Sequence, residues 1–433
     1  MTAETPRTEW PTPDAPIGPA TAQAMDNLLS VDTVILGAGI AGASLAWQLV
    51  QRPPAQRPRV LLAEREAQPG LHATGRSAAL YMASYGPPAV RALTRASGPF
   101  YAAPPAGFAD TPLLGERGAL YLAGPGHAGL LDALQAELAP VCPGLLRLDA
   151  AATLARVPCL LPGQVLAALF DPAAMDIDVQ ALHQGFLRGF RRAGGLLRTS
   201  AAVVEVTALA GLVAPVSPAS PGSPRVSNLP NAPRWQLRLA DGSRVAAHTV
   251  VNASGAWADE VAALFGAAPV GLVPRRRSAF TFAPPAGVDV RGWPAVVGVD
   301  EGWYFKPDAG ALLGSPANAD DTVPHDVQPE DLDIALGIHR IEAVSTLRIR
   351  RPTATWAGLR SFVADGEPVI GFDDACPGFF WLVGQGGYGI QSAAGAAALA
   401  AALLCGEPLP EALRREGLQP AALAVQRLRR PGA

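Results

Sequence analysis

The sequence predicts an α/β fold, α+β once its strand-rich middle is counted. Two stretches lead to that reading. Val34-Ile35-Leu36-Gly37-Ala38-Gly39-Ile40-Ala41-Gly42 reads as a short buried strand, a glycine turn and the start of a helix. Near the other end, Phe379-Phe380-Trp381-Leu382-Val383 reads as a buried strand. It runs into the glycine loop Gly384-Gln385-Gly386-Gly387-Tyr388-Gly389 and then a small-residue helix. Ligands of α/β sheets collect at the C-terminal ends of such strands.

The first stretch fits G-x-G-x-x-G. Gly37 allows the tight turn, Gly39 lets the backbone approach a pyrophosphate, and Gly42 lets helix and strand pack closely. The first-turn N–H groups lack internal partners and carry the positive end of the helix dipole, which suits phosphate. Arg59–Ala63 reads as a second buried strand, and Glu64 ends it, about 20 residues beyond Gly42, where a ribose diol needs an acceptor. Glycines and acid together favour a dinucleotide over an ordinary βα turn, and by themselves suit NAD as well as FAD.

The chain has 433 residues, enough for two or three domains. With 49% hydrophobic and 16% charged residues it reads as globular, and a net charge of −3 gives no reason to expect nucleic acid. Lys306 is the only lysine, which leaves hardly a candidate for Schiff-base chemistry. Four scattered cysteines and six histidines show no metal-ligand spacing, so no metal is expected. The cysteine usage fits a reducing cytoplasm. Residues 1–30, rich in Pro, Thr and Ala, read as a flexible extension without a signal peptide. The small-apolar run Ser392 to Cys405 is about 14 residues, short of the roughly 20 that cross a bilayer, so no transmembrane segment is expected.

The elements follow in order. Ala73–Ala79 is small and hydroxyl-rich, with Ser77 placed to begin a helix, on one face of which Tyr81 and Tyr85 would both point. Amphipathic helices are expected at Ala89–Ala102 and Gly129–Leu138. Asp178 reads as the N-cap of a helix carrying Leu182, Phe186, Leu187 and Phe190 at helical spacing, ended by Gly194-Gly195. The strand Ala202–Val206 leads into a Pro- and Ser-rich insertion, about 207–234, read as disordered. Trp235–Leu239, the Asp241-Gly242 turn and Val245–Val251 form a hairpin. It empties into Asn252-Ala253-Ser254-Gly255-Ala256-Trp257 and a helix over Ala256–Phe265. From Pro274 the pattern is strand-like. It includes Gly302–Lys306, where Tyr304 and Lys306 share a face. Pro329–Val344 reads as a helix, and Leu347 to Phe362 is an arginine- and aromatic-rich stretch containing Trp356, Arg360 and Ser361.

Six phrases stand out together: Glu64–Gly70, Thr74–Ala79, Arg276–Pro285, Lys306–Asp320, Ala357–Gly366 and Gly384–Gln391. The set resembles the FAD-dependent D-amino-acid oxidase and dehydrogenase superfamily, nearest in wording to bacterial D-arginine dehydrogenases, over nearly all of residues 31 to 415. The resemblance implies a Rossmann-like FAD-binding domain interleaved with a substrate domain that carries an antiparallel sheet over the flavin. Residues 31–85, 165–265 and 355–433 would form the first domain, and 86–164 and 266–354 the second.

It also implies roles. Non-covalent FAD would meet Gly37, Gly39, Ile40, Ala41 and Gly42 at the first turn. Glu64, Arg65, Arg76, Ser77 and Ala78 would follow, with Val204, Ala253, Gly255 and Trp257. Gly386, Gly387, Tyr388, Gly389 and Ile390 would close the site. The substrate carboxylate would meet Arg360, with Arg277 and Tyr304 nearby. The Gly387 carbonyl and Tyr85 would take the amine. Arginine suits a carboxylate because its planar fork pairs bidentately and stays charged; the bland alternative for both arginines is structural ion pairing. Hydride would pass from Cα to flavin N5, and water would release a 2-oxo acid and ammonia. The final electron acceptor is not identified.

At three positions the likeness to D-arginine dehydrogenases departs. Ala119 stands where they place a glutamate against the substrate guanidinium, Leu80 where they place a histidine, and Met82 a threonine. The expectation is a D-amino-acid dehydrogenase favouring neutral or hydrophobic side chains over D-arginine. The alternatives are a glycine- or sarcosine-type amine oxidase, D-arginine dehydrogenase proper, an NAD-dependent dehydrogenase, and a flavin-binding protein without turnover.

Overall fold

Leu28–Leu36 forms the central strand of the first of two large sheets in the computed structural model, which describes residues 28–209 and 233–429. It pairs in parallel with Val60–Ala63 on one side and Arg244–Asn252 on the other. Val60–Ala63 continues in parallel to Leu196–Arg198, and Arg244–Asn252 to Phe379–Val383. Trp235–Leu239, Val203–Ala208 and Val369–Phe372 add antiparallel strands at the margins. The sheet is covered on both faces, which is why Val34–Leu36, Val60–Ala63 and Phe379–Val383 read as unbroken apolar runs. One core joins Ile35, Leu62 and Phe380 to helices Ile40–Val50, Pro88–Ala102, Val179–Arg192 and Ala393–Cys405. The opposite core holds Val34, Leu61, Phe379 and Trp381.

The second sheet has nine strands and is mostly antiparallel. Val273–Phe282 pairs from Val273 to Thr281 with Ala354–Phe362. Ala311–Ser315, Tyr304–Asp308, Ala295–Gly298, Ala119–Ala123, Ala167–Asp171 and Leu146–Asp149 follow across the sheet. One face packs Phe280, Phe282, Val296 and Phe305 against a core that includes Ile334 and Ile341 of helix Asp331–Val344. Period-two alternation sends Arg277, Ala279, Val297 and Tyr304 to the other face, over the first sheet's glycine turns.

Both strand–glycine–helix units, the hairpin and the helices near 89–102 and 129–138 form as expected. Other expectations need correction. Ala167–Asp171 and Ala354–Phe362 belong to the second sheet, although the sequence division assigned residues from 165 and from 355 to the cofactor part. Helix Pro88–Ala102, assigned to the substrate part, buries Ala92, Leu93 and Tyr101 in the first core. Ser77 starts no helix. Its Oγ accepts from the Ala79 N–H at 3.0 Å, and Ala79 has φ 58°, which no α-helix tolerates. Leu80–Tyr81 is instead a two-residue strand, so Tyr81 turns to Tyr101 in the core while Leu80 and Met82 face the cavity. The helix expected at Ala256–Phe265 begins as a 3-10 turn, Gly255–Trp257, before Ala258–Leu264. Leu28–Ser30 of the expected extension and Thr207–Ala208 of the expected insertion lie in strands, while 1–27 and 210–232 are outside the described residues.

Asp178 caps helix Val179–Arg192, its Oδ1 accepting from the Ala181 N–H at 2.8 Å. Asp178→Ala should therefore lower the unfolding free energy by about 1 kcal/mol, measured as a shift in denaturant midpoint, with flavin content unchanged.

Candidate active site

The two sheets enclose a cavity of about 830 Å³ that runs from the glycine turn at Gly37 to the loop at Gly387. At its first end Gly37 has φ 101°, and a Cβ there would meet the Ala253 carbonyl oxygen at 2.5 Å. Only glycine makes this turn. Glu64 is buried and receives the Ala38 N–H at 2.8 Å on Oε2 and the Glu66 N–H at 2.9 Å on Oε1. An ionised carboxylate has about four acceptor sites, so lone pairs remain for a diol. Behind the turn, His183 Nε2 lies 2.8 Å from the Ala38 carbonyl oxygen. Burial lowers the His183 pKa, so its ring is held neutral, a donor to that oxygen.

Helix Ile40–Val50 begins at Gly39, which has no side chain to cap it. Thr74 Oγ1 accepts from the Ile40 N–H at 2.9 Å instead. Other first-turn N–H groups keep no intrahelical acceptor. Arg65 lies 4.4 Å over the Trp257 ring, and the His72 ring is 4.7 Å from it. Arg76 reaches across the cavity. Its Nη1 donates to the carbonyls of Val327 at 2.9 Å and Ala357 at 3.1 Å, and Nη2 pairs with Asp326.

The second end holds two guanidinium groups. Arg360, on Ala354–Phe362, donates from Nη2 to the Tyr85 hydroxyl at 3.2 Å and lies 5.7 Å over the Tyr388 ring. Arg277, on the paired strand, donates from Nε to the Asn318 carbonyl at 2.5 Å. Among the described residues neither pairs with a carboxylate, whereas Arg275 pairs with Asp321 and Arg276 with Asp333 on the same strand. Burial lowers the Arg277 pKa, and the Arg360 charge lowers it further. Burial also opposes the Arg360 charge, but the phenol oxygens of Tyr85, Tyr388 and Tyr304 raise its pKa on balance. Burial and Tyr85 push the Tyr388 phenol up to about 12. Both arginines stay charged at neutral pH, and together they call for an anion.

Gly387 makes room for this. A Cβ on it would lie 2.0 Å from Arg360 Nη2. Gln391 ties the loop to the opposite wall, accepting from the Met82 N–H and donating to the Tyr85 carbonyl, both at 3.2 Å.

Most expected positions line the cavity, including Gly39, Ile40, Ala41, Ser77, Ala78, Tyr304, Gly386, Gly389 and Ile390, together with Ala253, Gly255 and Trp257. Others do not. Gly42 lies below the turn, packed on the Gly37 carbonyl. Val204 is exposed, and its neighbour Val203 lines the wall instead, because inward and outward residues alternate along a strand. Tyr388 stands behind Arg360. Ala119 is fully buried off the cavity, which Tyr121 lines two residues on. Lys306 is buried and pairs with Asp176 at 2.9 Å and Asp308 at 3.2 Å, outside the lining. The sequence reading missed Thr74, Gln391, His183 and Glu301. The first two sit inside recognised phrases. Glu301 is exposed, has φ 54° and lines the cavity that also holds Arg277, and no motif marks it.

A parallel glycine-turn sheet, with a buried acid at the end of its second strand, faces an antiparallel sheet across one cavity, an arrangement suited to a dinucleotide-dependent oxidoreductase. More particularly, the chain belongs to the FAD dependent oxidoreductase family (DAO), whose model matches residues 32–403. The structure is similar to glycine oxidase from Geobacillus kaustophilus, with 21% identity, 92% of this chain and 98% of that one covered, and a TM-score of 0.74. It is similar to L-proline dehydrogenase from P. horikoshii at 18% identity, with 90% and 99% covered and a TM-score of 0.69. L-amino acid deaminase from Proteus vulgaris gives 15% identity, 93% and 99% covered, and a TM-score of 0.70. At these identities the likeness carries the fold. The residues present fit an FAD: Glu64 has acceptor capacity left, first-turn N–H groups are open, and Gly37 admits no Cβ. No described helix is long and apolar enough to cross a membrane.

Gly387→Ala should displace the Arg360 guanidinium while leaving the nucleotide end intact. The expected result is full flavin content and affinity for a simple carboxylate reduced on the order of tenfold, read by flavin difference absorbance.

Proposed function

We propose that the protein deaminates D-amino acids oxidatively, giving a 2-oxo acid and ammonia. The observation that carries this is the pair of cavity arginines without a carboxylate partner, Arg277 and Arg360. Arg360 presents the substrate carboxylate with a charged fork, and Arg277 and the Tyr304 hydroxyl complete that corner. The Gly387 carbonyl accepts from the amine, with Tyr85 beside it. These groups hold Cα in one orientation and favour the neutral amine, so positioning is the protein's main contribution. Bound FAD supplies the hydride acceptor. Non-covalent attachment is supported by the cysteines, since none of the four lines the cavity; Cys376 donates to the Phe265 carbonyl at 3.4 Å in the core.

The D configuration rests on the motif resemblance. Leu80, Met82 and Val297 on the cavity wall support neutral or hydrophobic side chains. One observation favours a second reading: Glu301 offers a carboxylate to a long cationic side chain such as that of D-arginine.

Anaerobic mixing of the yellow protein with single amino acids should bleach the flavin with D-leucine, D-methionine and D-phenylalanine severalfold faster than with D-arginine, and not with L-forms. D-arginine ahead of the others selects the Glu301 reading. No bleaching by any D-amino acid, with bleaching by glycine or sarcosine, replaces the proposal by a glycine- or sarcosine-type amine oxidase. In a separate check, acid precipitation should leave a colourless pellet and all flavin in the supernatant.

A further inference from the structure

Arg277 is aimed by a network that begins outside the cavity. Its Nε donates to the Asn318 carbonyl at 2.5 Å, and no other hydrogen bond within the described residues engages its guanidinium. Asn318 lies in the loop after Ala311–Ser315, beyond Ala317, which has φ 52° and lines the cavity. That loop is pinned by the Asn318 side chain. Oδ1 accepts from the Ser278 N–H at 2.8 Å, while Nδ2 donates to Asp333 Oδ2 at 3.0 Å and to Asp320 Oδ2 at 2.6 Å. Asp333, at the start of helix Asp331–Val344, is 9% exposed. The same Oδ2 accepts from Ser278 Oγ at 2.7 Å and Arg276 Nε at 2.9 Å. Ser315 Oγ then donates to the Ser278 carbonyl at 2.7 Å and accepts from the Ala317 N–H at 3.0 Å.

We propose that Asp333 is a positioning residue for substrate binding: through Asn318 it fixes the carbonyl that orients Arg277. The proposal rests on the reading of Arg277 as a carboxylate-binding group. A buried carboxylate that gathers three donors at one atom holds them more firmly than a neutral group does. The geometry divides labour along one strand. Arg276 points out and pairs with Asp333, Glu330 and Asp320. Arg277 points in with its charge left for a ligand. The helix also holds Pro316, whose carbonyl accepts from Arg340 Nη1 at 3.0 Å, but without the Asp333 anchor the Asn318 side chain loses its own tie to the helix, and the Arg277 fork samples other directions.

The test uses oxidised holoenzyme and a probe that cannot react: isocaproate, the leucine skeleton without its amine, titrated by flavin difference absorbance. Isocaproamide, its neutral twin, is the control. Asp333→Asn should raise the isocaproate Kd roughly tenfold and leave the isocaproamide Kd and flavin content unchanged. Asn318→Ala, which keeps the Arg276–Asp333 ion pair, should do the same, so the proposal stays testable if Asp333→Asn folds poorly. Wild-type affinity in both variants overturns the proposal. So does equal weakening of both probes, which marks a general structural defect, or a wild-type enzyme that does not distinguish isocaproate from isocaproamide. Failure of the reaction reading looks different: selective isocaproate binding persists while no D-amino acid bleaches the flavin.

Discussion

Two guanidinium groups share one enclosed cavity, and like charges brought out of water repel. That constraint organises the substrate end of the molecule. The repulsion is tolerable because each group is separately held: Arg360 against the Tyr85 hydroxyl and the Tyr388 face, Arg277 by the Asn318 carbonyl. No carboxylate side chain among the described residues forms an ion pair with either group, and Glu301 in the same cavity only partly offsets the Arg277 charge, although the same strand pairs Arg275 and Arg276 with acids. An arrangement of this kind is most stable with a bound anion. It trades stability of the empty protein for complementarity to a ligand.

Everything around the pair serves its geometry. The register of Val273–Phe282 on Ala354–Phe362 sets Arg277 opposite Gly358, two positions before Arg360, so both point to the same face. Glycine at 387 lets the Arg360 fork lie against the loop backbone. Gln391 binds both ends of the Met82–Tyr85 segment, so the tyrosine that meets Arg360 is fixed by the loop that the arginine lies on. At the nucleotide end the constraint is steric rather than electrostatic. Gly37 turns under the Ala253 carbonyl, and the helix that follows takes its cap from Thr74, far along the chain.

Much of the fold was legible in the sequence, where a local signal and a buried environment agree. The runs at Val34–Leu36 and Phe379–Val383 are apolar because both sheet faces are covered, and Asp178 marks a helix start by its own chemistry. The segment around Tyr81 and Tyr85 misled because a spacing of four fits a helix, while Ala79 in left-handed backbone and pairing with Met175–Ile177 decide for a strand. The sheet membership of Ala167–Asp171 and Ala354–Phe362 was hidden for a related reason: a strand lies where its partners lie, and partners are not written locally. In the site, the glycines, Glu64, Arg277 and Arg360 were visible as residue types in recognisable phrases. Ala119 and Val204 do not line the cavity, since the facing of a strand residue depends on register. Asp333, Asn318 and Glu301 carry no local mark at all.

The order of strands in the first sheet bears on how the chain is made. Leu28–Leu36 pairs with nearby Val60–Ala63, yet its other parallel neighbour, Arg244–Asn252, lies roughly 200 residues downstream, and Phe379–Val383 later still. The glycine turn cannot close under the Ala253 carbonyl until that neighbour exists. During synthesis Leu28–Leu36 therefore waits with its other edge unpaired until the strand roughly 200 residues downstream has been made. A chain stopped before Arg244–Asn252 would leave that turn open.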